Sequence, residues 1–139
     1  MSTGYKPTSW ARIERDYDDI ILEIRGSLNS EPGFVEKVVI LDDYSRLKCR
    51  EFIKLGIIEF FQYDYYDANG NIIIKYHSEP HYDSKYQTET EPFRMHVKVN
   101  EMDLAASKRL PLPKQLRTID DILINIVNGR HLKYVFIKE

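Results

Sequence analysis

Apolar side chains recur at Trp10, Ile13, Tyr17, Ile20, Ile21, Ile24 and Leu28, at spacings of three and four with one contiguous pair. That spacing predicts one face of an amphipathic helix starting after Ser9. Arg12, Glu14, Arg15, Asp16, Asp18, Asp19 and Glu23 fall between them and supply the solvated face. Asn29-Ser30-Glu31-Pro32-Gly33 ends the pattern, because proline cannot continue a helix and glycine permits a turn. Residues 1–8 precede it as a flexible tail.

After Gly33 the period changes. Phe34 to Leu41 is rich in valine and isoleucine and reads as a strand, followed by a turn at Asp42-Asp43-Tyr44-Ser45. Arg46 to Leu55 alternates, with Leu47, Cys49 and Ile53 on one face, and Ile57 to Tyr66 supplies the next strand. Asp67-Ala68-Asn69-Gly70 separates it from Asn71 to His77, and Asn-Gly is a strong hairpin signal because both residues tolerate positive φ. Phe93 to Val99 is a further strand. Short connections imply antiparallel pairing of successive strands.

Leu110-Pro111-Leu112-Pro113 makes 100–117 an extended connector. Thr118 caps a second helix, with Asp120 and Asp121 in its first turn and Ile119, Ile122, Leu123, Ile126 and Val127 as its buried stripe. Asn128-Gly129 ends it, and His131 to Ile137 reads as one more strand. The expected fold class is α+β: an antiparallel sheet of about five to six strands packed by an N-terminal and a C-terminal helix, in one domain over 1–139.

Composition narrows the picture. A chain of 139 residues is long enough to bury a core without staples. Its formal net charge of −2 gives no global basic field, so a nucleic-acid site would have to be local. The lone Cys49 cannot form an intrachain disulfide and fits a reducing, cytoplasmic setting as a buried apolar residue. No apolar run approaches the ~20 residues of a membrane span, and MSTGYKPTSW lacks the apolar centre of a signal peptide.

Three of the four histidines, His77, His81 and His96, fall within 20 positions, at strand ends and in one polar loop. The surrounding stretch YDYYDANGNIIIKYHSEPH, then PFRMH and RTIDDILINIV, resembles the TumE-like family of small prokaryotic toxin–antitoxin toxins. Members show a strand, an acidic Asn-Gly turn, a second strand ending in Tyr-Asp-Asn-Ala-Pro-His, and then Pro-His-His-Lys-His. Tyr76, Pro80, His81, Pro92 and His96 fall on that pattern. His77 and Ser78 stand where Asp-Asn is usual, and Phe93, Arg94 and Met95 replace His-His-Lys. The likeness covers roughly residues 45–127. It implies a toxin-like component of a toxin–antitoxin pair that acts on RNA, with a cognate antitoxin as partner.

Histidine chemistry suits that expectation. Metal-independent RNA cleavage needs one group to deprotonate a 2′-hydroxyl and another to protonate the leaving oxygen, and imidazole titrates near neutrality. His81 and His96 are the expected pair. Arg94, Lys98 and His77 are candidates for phosphate contact, and Tyr76 and Tyr82 for orientation or base stacking. Strand alternation places Arg94, His96 and Lys98 on one face. Against this, Lys75, Lys85, Arg94 and Lys98 are offset by Glu79, Asp83, Glu89 and Glu91 over the same segment. The tyrosines Tyr63, Tyr65, Tyr66 and Tyr76 read mainly as strand packing.

Two rival readings use the same residues. One is a non-enzymatic interaction domain on the same fold, in which the histidines are ordinary boundary residues. The other is a zinc-binding variant using His77, His81 and His96 with Asp83. Pro80 argues against it, because a helix across 77–81 is needed to bring both rings to one face. No metal and no cofactor is expected. A second copy of the chain is a further candidate partner.

Overall fold

The computed structural model describes residues 2–26, 31–78, 90, 92–98 and 107–138. Its elements are α1 (Trp10–Asp16), β1 (Ile21–Gly26), β2 (Phe34–Leu41), β3 (Arg46–Lys54), β4 (Ile57–Tyr66), β5 (Ile72–His77), β6 (Arg94–Lys98), β7 (Ser107–Pro111) and α2 (Ile119–Lys138). A 3₁₀ turn, Lys114–Leu116, precedes α2. The strands form one antiparallel sheet in chain order, so every neighbour in space is a neighbour in sequence. The α+β class holds, with seven strands where five to six were expected.

One face of the sheet carries both helices. Val39 and Leu41 of β2, Leu47 and Cys49 of β3, Phe61 and Tyr63 of β4 and Tyr76 of β5 pack against Ile13 of α1 and Ile119, Ile122, Leu123 and Ile126 of α2. Fully burying an aliphatic side chain contributes about 2 kcal/mol. The α2 stripe is therefore what holds that helix to the sheet. Val127, expected in the stripe, is instead on the exposed side. Thr118 caps α2 as its side chain predicts, its Oγ1 accepting the Asp121 N–H at 3.2 Å.

The first helix is shorter than its apolar spacing suggested. It stops at Asp16, and Ile21–Gly26 is an edge strand paired with β2. A bulge explains the false signal. Ile21 pairs with Leu41 and Glu23 with Ile40, so Leu22 is the extra residue and points outward. The insertion lets Ile21 and Ile24 both face the core three positions apart, which mimics helical spacing. The extra strand at the other edge has a different cause. Ser107–Pro111, expected as connector, pairs with β6, and Pro111 is tolerated because β7 is an edge strand. The expected last strand at 131–137 is instead the continuation of α2, which runs through Asn128-Gly129 to Lys138. An interior glycine costs a helix only about 1 kcal/mol.

The N-terminal segment expected as a loose tail is tied to the sheet. The Thr3 N–H donates to Ile58 O at 3.1 Å and the Ile58 N–H donates to Tyr5 O at 2.9 Å. The central hairpin pairs Tyr63 with Tyr76 and Tyr65 with Ile74, as expected. Its turn differs from a two-residue Asn-Gly turn. The Gly70 N–H donates to Asp67 O, Gly70 alone of the pair takes positive φ (86°), and Asp67 Oδ1 accepts the N–H groups of Asn69 and Asn71. The side chain of Asp67, and not a left-handed Asn69, organises the loop.

An ion pair joins the two helices. Arg12 donates to both oxygens of Asp120, at 3.0 and 2.7 Å, and the Tyr17 hydroxyl donates to Asp120 Oδ1 at 2.7 Å. The Arg12 hydrogen bond holds the Asp120 carboxyl below its usual pKa. A folded-state pKa below the unfolded one gives stability that is present above the unfolded value, about 3.9, and lost as pH falls through the folded value. Wild type and Arg12→Ala are therefore expected to differ most in urea midpoint near neutrality and to converge below about pH 4. A difference that persists undiminished in acid would mean that the pair contributes through packing alone.

Candidate functional site

The face of the sheet opposite the helices carries a cluster at β4, β5 and β6. Alternation sends Tyr63, Tyr76 and Met95 toward the helices and their neighbours Asp64, His77, Arg94 and His96 to the other side. Two cross-strand rows result. One contains Gln62, His77 and Arg94, and the other Asp64, Lys75 and His96. The chemically useful contacts run diagonally between the rows, a separation that long side chains span.

His77 Nε2 lies 3.0 Å from Asp64 Oδ1, and both side chains are 12% exposed. A carboxylate can only accept, so Nε2 carries the proton in this contact, and the ring is held in one orientation. The His77 and His96 rings lie 5.4 Å apart, inclined at 51°. Arg94 Nε–H donates to His96 Nε2 at 3.4 Å. That nitrogen accepts only when it carries no hydrogen, so in this contact Nε2 is the acceptor of the ring. One ring is thus tied to an anion and the other to a cation. The two adjacent imidazoles therefore stand in unlike electrostatic surroundings.

The chain leaving β5 is fixed at once. Ser78 is buried, its Oγ accepts the Phe61 N–H at 2.7 Å and its own N–H donates to Phe61 O at 3.1 Å. Ser78 thereby anchors the start of the segment that carries His81.

The structure brings His77, Arg94 and His96 together and sends Tyr76 elsewhere. Tyr76 is fully buried on the helical side beside Asn125 of α2, where burial pushes its hydroxyl up to about 12. Core packing, the commoner fate of a strand tyrosine, accounts for it. Lys98 ends β6 at the alternate position after His96. His81 and Tyr82 lie outside the described residues, as does Asp83 of the zinc reading. No group of three or more metal-ligating side chains occurs among the described residues. Phe93, where the related pattern has histidine, faces the helical side, with Tyr5 at 6.1 Å and the Arg117 guanidinium 3.8 Å from its ring centre.

Asp64 and Ser78 were not anticipated. Asp64 sits in the run Tyr63-Asp64-Tyr65-Tyr66-Asp67. A charged residue between strand tyrosines reads as an outward polar position. Only the pairing register shows that His77 lies diagonal to it.

A family model described as Toxin TumE matches residues 10–130. The chain belongs to the TumE toxin family. No curated protein and no solved structure matches it. TumE membership makes the chain a toxin component of a toxin–antitoxin system, with an antitoxin as its expected partner. The TumE match extends beyond the stretch on which the resemblance rested, to α1 at one end and most of α2 at the other. Among the described residues, no helix is long and apolar enough to cross a membrane.

Proposed function

We propose that this toxin is a metal-independent endoribonuclease that transfers protons through histidine. The observation that carries the reading is the juxtaposition of His77 and His96, with Asp64 on one ring and Arg94 on the other. His96, its Nε2 lone pair released as Arg94 turns from it to the entering phosphate, takes the proton from the ribose 2′-hydroxyl. The 2′-oxygen then forms a bond to phosphorus. A second histidine protonates the 5′-oxygen as its bond to phosphorus breaks. The products are a 2′,3′-cyclic phosphate and a 5′-hydroxyl, so atoms and protons balance without an outside reactant.

His81 is the sequence-based choice for the second histidine, and His77 is the one seen beside His96. Arg94, only 4% exposed, acts first on His96 and reaches phosphate only when substrate enters. Lys98 and Tyr82 serve phosphate and base contact in this scheme.

The burial of Arg94 and His77 also suits an interaction domain in which the cluster is only a structural network. Expression without the antitoxin separates the two. Growth is expected to slow with cellular RNA cut, and His96→Ala is expected to restore growth at an equal protein level. Growth arrest retained in His96→Ala would favour the interaction domain.

A further inference from the structure

The histidine cluster occupies one edge of a larger open face whose remaining residues have no part in proton transfer. On β3, alternation places Arg46, Lys48 and Arg50 on that face, since Leu47 and Cys49 are buried on the other. Successive same-face residues on a strand stand about 6.7 Å apart. Lys48 lies in the same cross-strand row as Asp64, Lys75 and His96. The row is three strand spacings wide from β3 to β6, about 14 Å. Cations on β3 and β5 therefore flank Asp64 in a row that leads to the histidines.

The local charge differs from that of the whole chain. Arg46, Lys48, Arg50, Lys75 and Arg94 outnumber Glu36, Asp64 and Asp67 here, and all three carboxylates are engaged, Glu36 with Arg50 at 3.3 Å, Asp64 with His77 and Asp67 with the N–H groups of its own turn. Among the described residues, Arg46, Lys48 and Lys75 take part in no ion pair. At the β3 end the face is concave. A hollow of about 540 Å³ is lined by Glu36, Val38, Arg46, Lys48 and Tyr66, with the turn from Asp67 to Gly70 as its wall. It has the makings of a base pocket: an aromatic ring beside two unpaired cations.

We propose that this band binds single-stranded RNA and delivers it to the histidine cluster, with Tyr66 stacking on a base and Arg46, Lys48 and Lys75 contacting successive phosphates. The inference rests on the ribonuclease reading and adds the substrate class. A sheet carrying an aromatic residue among cations is a general platform for unpaired bases, whose faces are available for stacking. A duplex hides those faces and would leave Tyr66 unused. An acidic segment of the antitoxin would answer the charges, but it would not explain why the row ends at His96.

The test is fluorescence anisotropy with labelled single-stranded oligouridylate and oligoadenylate, and an RNA duplex, titrated over a salt series with the full chain carrying His96→Ala. Adding Arg46→Ala with Lys48→Ala is expected to raise the single-strand Kd at least tenfold. It should also reduce the log–log salt slope by about 1.4, two phosphates at ~0.7 each. Tyr66→Ala should weaken binding roughly tenfold and Tyr66→Phe should restore it. Lys75→Gln provides a second charge variant should the double variant not fold. The proposal is overturned if the charge variants bind RNA like their parent, if duplex binds as tightly as single strand, or if the substitutions weaken only antitoxin capture. The two readings fail separately. RNA binding that depends on Arg46 and Lys48 in a wild type that never cuts RNA would remove the nuclease and keep the band. Cleavage with an unchanged KM in the double variant would do the reverse.

Discussion

Replacing His96 with alanine is expected to lower RNA cleavage by ~10²–10⁴-fold, the usual cost of removing a proton-transfer group, while the melting transition changes little. His96 is only partly buried and lies on the face away from the helical core, so its loss opens no cavity among the core residues. His77→Ala and His81→Ala decide which residue is its partner. If His77 supplies the second proton, His77→Ala falls as far as His96→Ala and His81→Ala keeps measurable activity. The reverse pattern assigns the acid to His81. Asp64→Asn tests positioning, since an amide can still contact the ring but no longer imposes its tautomer through an acceptor-only partner. Its expected effect is a lower kcat with little change in KM. Single-turnover cleavage of one labelled RNA reads all four variants. Equal activity in wild type and His96→Ala would remove His96 from the chemistry.

The second large effect is on stability, at Glu51. This carboxylate lies on the core face of β3 and is only 1% exposed. It accepts the Thr8 N–H at 3.1 Å, the Thr8 hydroxyl at 2.5 Å and the Tyr63 hydroxyl at 2.6 Å. Those contacts fasten the N-terminal segment to the sheet. They also satisfy a phenol that burial, and then the Glu51 charge, push well above its usual pKa. Glu51→Ala leaves the buried Tyr63 hydroxyl without its acceptor and opens a cavity. The expected cost is on the order of 3 kcal/mol, with a melting temperature lower by roughly 10 °C. Tyr63→Phe alone should cost about 1 kcal/mol, and the double variant should lose less than the sum because no hydroxyl is then stranded. Thermal and urea melts of the four proteins check this. A Glu51→Ala loss below about 1 kcal/mol would show that water enters the variant and satisfies the Tyr63 hydroxyl.

Both effects depend on residues that differ in how far they could be read from the chain. The central meander was legible because Val-, Ile- and Tyr-rich runs alternate with period two and Asp67–Gly70 interrupts them. The two ends were not. A bulged edge strand at Ile21–Gly26 and one turn of amphipathic helix share apolar spacings, and only the exposed edge of β2 decides between them. Pro111 likewise read as a break because its tolerance on an edge strand depends on strand order. At the site, the shared face of Arg94 and His96 followed from alternation, whereas the Asp64–His77 contact is a matter of register between strands. Tyr76 shows the same limit in reverse. Its place in the motif suggested a site residue, and its parity on β5 sends it into the core.

The central claim is that paired histidines cut RNA without a metal. End-group analysis of RNA cut by the purified wild type in excess EDTA tests it most directly. The expected result is cleavage that leaves a 2′,3′-cyclic phosphate and a 5′-hydroxyl, with no cut at a nucleotide whose 2′-hydroxyl is replaced by hydrogen. Loss of cleavage in EDTA, or products ending in a 3′-hydroxyl and a 5′-phosphate, would contradict it.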